Sequence, residues 1–188
     1  MKKIIYALCL LAAVPALAQE KYVPAIKQGT TLRYTAYVNG QSFACAFSFD
    51  SIATDFMKIG WNIDVLGSGS WVMKSKSLQS GTRRYSGQPS PGMQEELPDD
   101  QTVLLLSKAQ WESLQKDKKV NYDQQFYTVK APTPEQQLTV GGKQLDAILL
   151  ESPDASIHVW ILNSAAFPIL LKSEGNSVGA DLIINAVE

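Results

Sequence analysis

Met57, Ile59, Trp61, Ile63 and Val65 fall at every second position, with Lys58, Gly60, Asn62 and Asp64 between them. A period of two puts the two sets on opposite faces of a strand. One face must therefore be covered and the other can meet water. Gly67-Ser68-Gly69 is expected to turn the chain. Trp71 and Met73 continue an apolar face on the next strand, which is expected to run on to Leu78.

The same grammar recurs on both sides. Thr30–Val38 alternates, Asn39-Gly40 is a strong hairpin signal, and Gln41–Asp50 returns. In the return strand Phe43, Cys45, Phe47 and Phe49 share one face. Phe126–Lys130 reads as a strand, and Gln136–Val140 with Lys143–Glu151 reads as a hairpin around Gly141-Gly142. In Ile157–Leu162 both alternating sets are apolar, which predicts a strand covered on both faces. Asn163 and Ser164 turn the chain. Pro168 lacks an N–H and suits the start of the next strand, Ile169–Ser173. Ser177–Ala186 is expected to be the last strand, with Leu182, Ile183 and Ile184 at its centre.

One helix is expected, over about residues 107–118. Ser107 and Gln110 have capping-box spacing, and Trp111 and Leu114 lie on one face. Lys116, Lys118 and Lys119 complement the partial negative charge of its C-terminus. Gly81–Asp100 is the one long irregular stretch. It carries three prolines, Arg83-Arg84-Tyr85 at one end and Glu95-Glu96 and Asp99-Asp100 at the other. It reads as a solvated loop, and the acidic spacing matches no calcium loop.

The first residues have the pattern of a secretory signal. Lys2 and Lys3 precede an apolar run over Ile4–Val14, and Ala16-Leu17-Ala18 fits a cleavage site. The expected division is a signal peptide over 1–18 and one β-rich domain over 19–188. Cleavage near Ala18 leaves 170 of the 188 residues and shifts the net charge from −1 to −3. The product is expected in the periplasm or outside the cell, with no membrane-spanning segment. Cys45 is then the only cysteine, so no internal disulfide forms. Nucleic-acid binding needs a basic face, and only Arg83-Arg84 and Lys116–Lys119 are locally basic.

Few residues offer chemistry. A single histidine, His158, supplies no multi-histidine metal site, and Cys45 alone supplies no thiolate cluster. No catalytic residue, metal or cofactor is therefore expected. Gly175-Asn176-Ser177-Val178-Gly179 matches the G-x-S-x-G pattern of serine hydrolases. That chemistry needs a strand-to-helix elbow and a later histidine. Here strand-like residues follow and no histidine does, so a hydrolase using Ser177 and His158 ranks third. Large aromatic groups are abundant instead. Core packing accounts for most of them, but Trp61, Trp71, Trp160 and Phe47 are candidates to line an apolar site on a curved sheet.

The order of hairpins, strand, helix and second hairpin ends in Trp160-Ile161-Leu162-Asn163 and Phe167-Pro168-Ile169-Leu170-Leu171-Lys172. This resembles a group of secreted, uncharacterised β-rich proteins of Gram-negative bacteria. It is similar, more loosely, to the periplasmic lipoprotein-carrier superfamily. That resemblance implies an incomplete β-barrel with a helical plug and an apolar concavity for acyl chains.

The expected fold is mainly β: a strongly curved antiparallel sheet, or incomplete barrel, with one packed helix. The expected function is an exported, non-enzymatic cell-envelope protein binding a lipid or other apolar ligand in the sheet's concavity. The alternative is an envelope protein-protein interaction module with a filled core, whose partner is another envelope protein.

Overall fold

The computed structural model describes residues 21–176 and 179–188. The expected signal peptide and Ser177 lie outside them. The chain opens with four antiparallel strands: β1 (Thr31–Val38), β2 (Gln41–Ile52), β3 (Phe56–Ile63) and β4 (Gly67–Lys74). A short helix, α1 (Ser75–Ser80), follows. Then come three short strands, β5 (Arg83–Arg84), β6 (Gln94–Glu96) and β7 (Gln101–Thr102). After the main helix α2 (Lys108–Asp117), the chain continues with β8 (Lys119–Tyr122), β9 (Gln125–Lys130), β10 (Thr139–Val140), β11 (Lys143–Gln144) and β12 (Ala147–Glu151). It closes with β13 (His158–Leu162), β14 (Leu170–Glu174) and β15 (Asp181–Val187).

Eleven strands form one sheet in the order β6-β4-β3-β2-β1-β15-β14-β13-β12-β9-β8. The sheet curves but does not close. All its pairings are antiparallel except β4 with β6. Three register shifts, at Arg33/Tyr34, Phe49/Ser51 and Trp160/Ile161, mark bulges, which add local twist. The first and last thirds of the chain meet at β1 and β15, where Ala36 pairs Leu182.

Sequence chemistry explains the hairpins. Asn39-Gly40 and Gly141-Gly142 carry positive φ at both central positions, as the tight turns that match strand twist require. Phe43, Cys45, Phe47 and Phe49 share a face, and the last three are buried. On β13 both faces are covered. Val159 and Ile161 join Leu114 of α2 and Leu150, while Trp160 and Leu162 join Leu149 and Leu171 in the other cluster.

The capping box at α2 forms as its spacing predicts. The Ser107 hydroxyl accepts from the Gln110 N–H at 3.3 Å, and the Gln110 side chain accepts from the Ser107 N–H at 2.9 Å. Lys118 ends the helix in the left-handed region at φ +54°.

Several local expectations differ. Gly67-Ser68-Gly69 is not the turn. The chain reverses over Asp64–Leu66, with the Leu66 N–H on the Ile63 carbonyl at 3.1 Å, and Gly67 opens β4. Val65 therefore leaves the apolar row and is 84% exposed. Leu78 is not in a strand: Lys74 ends β4 and polar Ser75–Ser80 coil into α1, held by the Ser77 hydroxyl on the Gln101 carbonyl. The last strand starts at Asp181, its expected start at Ser177 lying outside the described residues, and the Asp181 carboxylate accepts from the Gly175 and Asn176 N–H groups ahead of it. The Gly81–Asp100 stretch is not a solvated loop throughout. It pairs as β5 with β7 and as β6 along the edge of β4.

Candidate functional site

The concave face of β1 to β4 carries a column of aromatic rings. Tyr34 meets Phe47 edge-on at 5.6 Å between ring centroids, and Phe47 stacks on Trp71 at 6.1 Å. Trp71 then stacks on Trp61 at 5.6 Å and meets Tyr85 at 5.4 Å. Cross-strand geometry builds this column: Phe47 sits opposite Cα partner Trp61, and Trp61 sits opposite Gly69. A Cβ at Gly69 would lie 2.6 Å from the Trp61 ring, so glycine gives that indole its room.

Between this face and the segment that crosses it lies a cavity of about 420 Å³. Ala36, Phe43, Cys45, Phe47 and Ile63 form its floor, and Trp71 forms one wall. Leu170 and Leu182 come from the other half of the sheet, and Val103 and Leu104 from the connection before α2. The strap Arg84–Pro89 closes over the top, and Asp64, Val65 and Leu66 stand at the rim. The volume is within the range of about 300–1,000 Å³ found for small-molecule sites, and an apolar lining with few polar groups is the usual composition.

The strap is anchored rather than loose. The Tyr85 ring rests on Trp71, and its hydroxyl donates to Glu95 Oε2 at 2.7 Å. Burial, with Glu95 alongside, pushes the Tyr85 phenol up to about 12. The Tyr85 N–H donates to the Thr102 carbonyl at 2.8 Å, and further along the Gly92 N–H donates to the Ser68 carbonyl at 2.7 Å.

The charged side chains lining the cavity are Arg84 and the exposed Asp64. The Arg84 guanidinium donates to the side-chain oxygen of Asn176 at 2.6 and 2.9 Å, with the amide in its hydrogen-bonded orientation. A second hollow of about 30 Å³ lies on the far side of Arg84, against Tyr122, Tyr127 and Ser173. The Cys45 thiol also lines the cavity, and burial pushes its pKa up, so it stays a neutral thiol.

Of the aromatic residues singled out from sequence, Phe47 and Trp71 line the cavity. Trp61 stands behind Trp71 as a buttress, 3% exposed. Trp160 points to the other face of the sheet, where its indole N–H donates to the Gln136 carbonyl at 2.9 Å and Lys172 Nζ lies 4.7 Å above the ring. Arg84 and Tyr85 were missed as site residues. Their only sequence signal is an aromatic residue beside two arginines in a proline-rich stretch.

His158 lies on β13 with its imidazole 3.3 Å from Glu151, which Lys130 also holds at 3.0 Å. Lys130 and then His158 hold the Glu151 carboxyl below its usual range. The acidic pairs beside the strap are spread among separate partners. Glu95 holds Tyr85, Glu96 holds Lys74, Asp99 holds Lys76 and Asp100 holds Arg83. Among the described residues no three His, Cys, Asp or Glu side chains gather as a metal site, and no helix is long and apolar enough to cross a membrane. No protein-family model, curated protein or solved structure matches this chain.

Proposed function

We propose that the protein is an exported, non-enzymatic cell-envelope protein that holds a lipid or other apolar ligand in the cavity beneath the Arg84–Pro89 strap. The carrying observation is the cavity itself: about 420 Å³, walled by Trp71 and floored by Phe47 and other aliphatic and aromatic side chains. Each buried methylene contributes about 0.8 kcal/mol. A chain of ten thus contributes about 8 kcal/mol before the opposing loss of translational freedom. The cavity favours this reading over a protein-interaction module, which a filled core would suit better. The charged start, apolar run and Ala16-Leu17-Ala18 site support export.

The test is titration of detergent-free protein with a fluorescent polyene fatty acid, alongside Val38→Trp, which places an indole in the cavity from the floor's edge. Saturable one-site uptake, weakened about tenfold or more in the variant, is the expected result. No saturable uptake by the native protein rejects the reading.

A further inference from the structure

The cavity has a polar corner, and its chemistry narrows the class of ligand. Arg84 enters it from β5, half-buried, and Trp71 also lines the cavity. Among the described residues no carboxylate lies within ion-pair distance of the Arg84 guanidinium, and the acceptor it has there is a neutral amide, Asn176. Its neighbour Arg83, by contrast, pairs with Asp100 at 3.3 Å. Gly179 lets the guanidinium sit where it does: a Cβ there would lie 2.6 Å from its nitrogen.

Another donor among the lining residues has no acceptor among the described residues. The Trp71 indole N–H is buried and makes no hydrogen bond among the described residues. It faces the Tyr85 oxygen without meeting hydrogen-bond geometry. A buried donor without a partner is rare in a folded protein and is often completed by a bound group. A guanidinium bonded to a neutral amide gains from exchanging that partner for an anion, which it binds through two parallel N–H···O bonds.

We propose that the ligand is a single-chain amphiphile with an anionic head, whose carboxylate or phosphate binds at Arg84 while its chain fills the cavity. The assignment rests on the apolar-ligand reading and makes a narrower claim. Asp64 stands at the rim, exposed, and Tyr85 is held by Glu95. A head at the Arg84 corner therefore meets a cation, while the rim carboxylate of Asp64 sits in water.

The experiment compares oleic acid, oleyl alcohol and oleoyl lysophosphatidic acid by calorimetric titration into the full mature protein. The same titrations are run on Arg84→Gln and Arg84→Lys. At neutral pH and low salt the native protein is expected to bind the acid or the phosphate about tenfold or more tightly than the alcohol. Arg84→Gln is expected to abolish that preference and leave the alcohol's affinity unchanged. Arg84→Lys keeps the charge but not the planar fork, so it retains part of the preference and serves if the glutamine variant does not fold. Preference for the carboxylate over the phosphate, or the reverse, identifies the head. Equal binding of acid and alcohol by the native protein, or an Arg84→Gln loss shared by both, overturns the anionic assignment while leaving the apolar cavity reading in place. Failure of all three to bind overturns both.

Discussion

The ring of Tyr85 lies 5.4 Å from the ring of Trp71, tilted by 56°, and joins the strap over the cavity to the sheet beneath it. The hydroxyl continues the link by donating to Glu95 on β6, the strand that edges β4. Strap, wall and sheet edge therefore form one hydrogen-bonded unit. Tyr85→Phe keeps the ring contact and removes the hydroxyl link. The expected result is a stability loss of about 0.5–1.5 kcal/mol, from a hydrogen bond to a charged acceptor that is partly exposed. Amide hydrogen exchange over 84–89 is expected to quicken. Unchanged exchange in the variant would mean that the hydroxyl does not hold the strap.

Trp71 and Trp160 give an internal contrast. Trp71 walls the cavity and Trp160 faces away from it. Binding of a quenching polyene chain is expected to dim the native fluorescence strongly and the Trp71→Phe variant only weakly. Trp160→Phe is expected to leave the quenched fraction at least as large as in the native protein. The opposite pattern would place the ligand on the other face of the sheet.

Cys45 provides a chemical reporter inside the same space. Its thiol is 5% exposed at the residue level, and burial holds it in the neutral form. Reaction with a maleimide near pH 7.5 is expected to be slow, and to slow further, by about tenfold, when a chain occupies the cavity. A reaction rate indifferent to saturating ligand would separate the thiol from the binding space.

Alkaline pH should loosen the fold through its buried tyrosines. Burial pushes the Tyr122 phenol up to about 12 and raises that of Tyr34, whose hydroxyl donates to the Leu170 carbonyl at 2.6 Å. A phenol whose pKa is raised in the folded state keeps its proton more tightly there than in the unfolded chain. Its contribution is complete below the unfolded value of about 10 and is lost as pH rises through the folded value. Urea midpoints are thus expected to fall from pH 10 to 12, and Tyr122→Phe is expected to flatten that fall. A Tyr122→Phe profile as steep as the native one would show that other groups govern the alkaline limit.

Gly69 illustrates how much of the site the sequence hides. It reads as part of a flexible G-S-G turn, yet it lies in β4 with its missing side chain against the Trp61 ring. Gly69→Ala is expected to destabilise by about 1–3 kcal/mol, because ring and strand must part. A thermal melt matching the native protein would remove Gly69 from the account.

The elements legible in advance were those encoded locally. Period-two rows, the Asn39-Gly40 and Gly141-Gly142 turns, Pro168 before β14 and the Ser107/Gln110 box each depend on residues a few positions apart. The missed β8–β9 hairpin turns through Asp123 and Gln124, both at positive φ with no glycine to announce it. The strap was hidden because its partners are distant: Tyr85 needs Trp71 and Glu95, and β6 pairs in parallel with β4. Trp160 was indistinguishable from Trp71 because each is a large aromatic residue in a period-two strand. Which face becomes concave depends on the whole sheet.

The central claim is that the cavity holds a ligand, and native mass spectrometry of the detergent-free protein tests it directly. The account predicts a discrete added mass that organic extraction releases as a chain-bearing anionic amphiphile. A clean protein mass, with no uptake of added fatty acid or lysophospholipid, would contradict it.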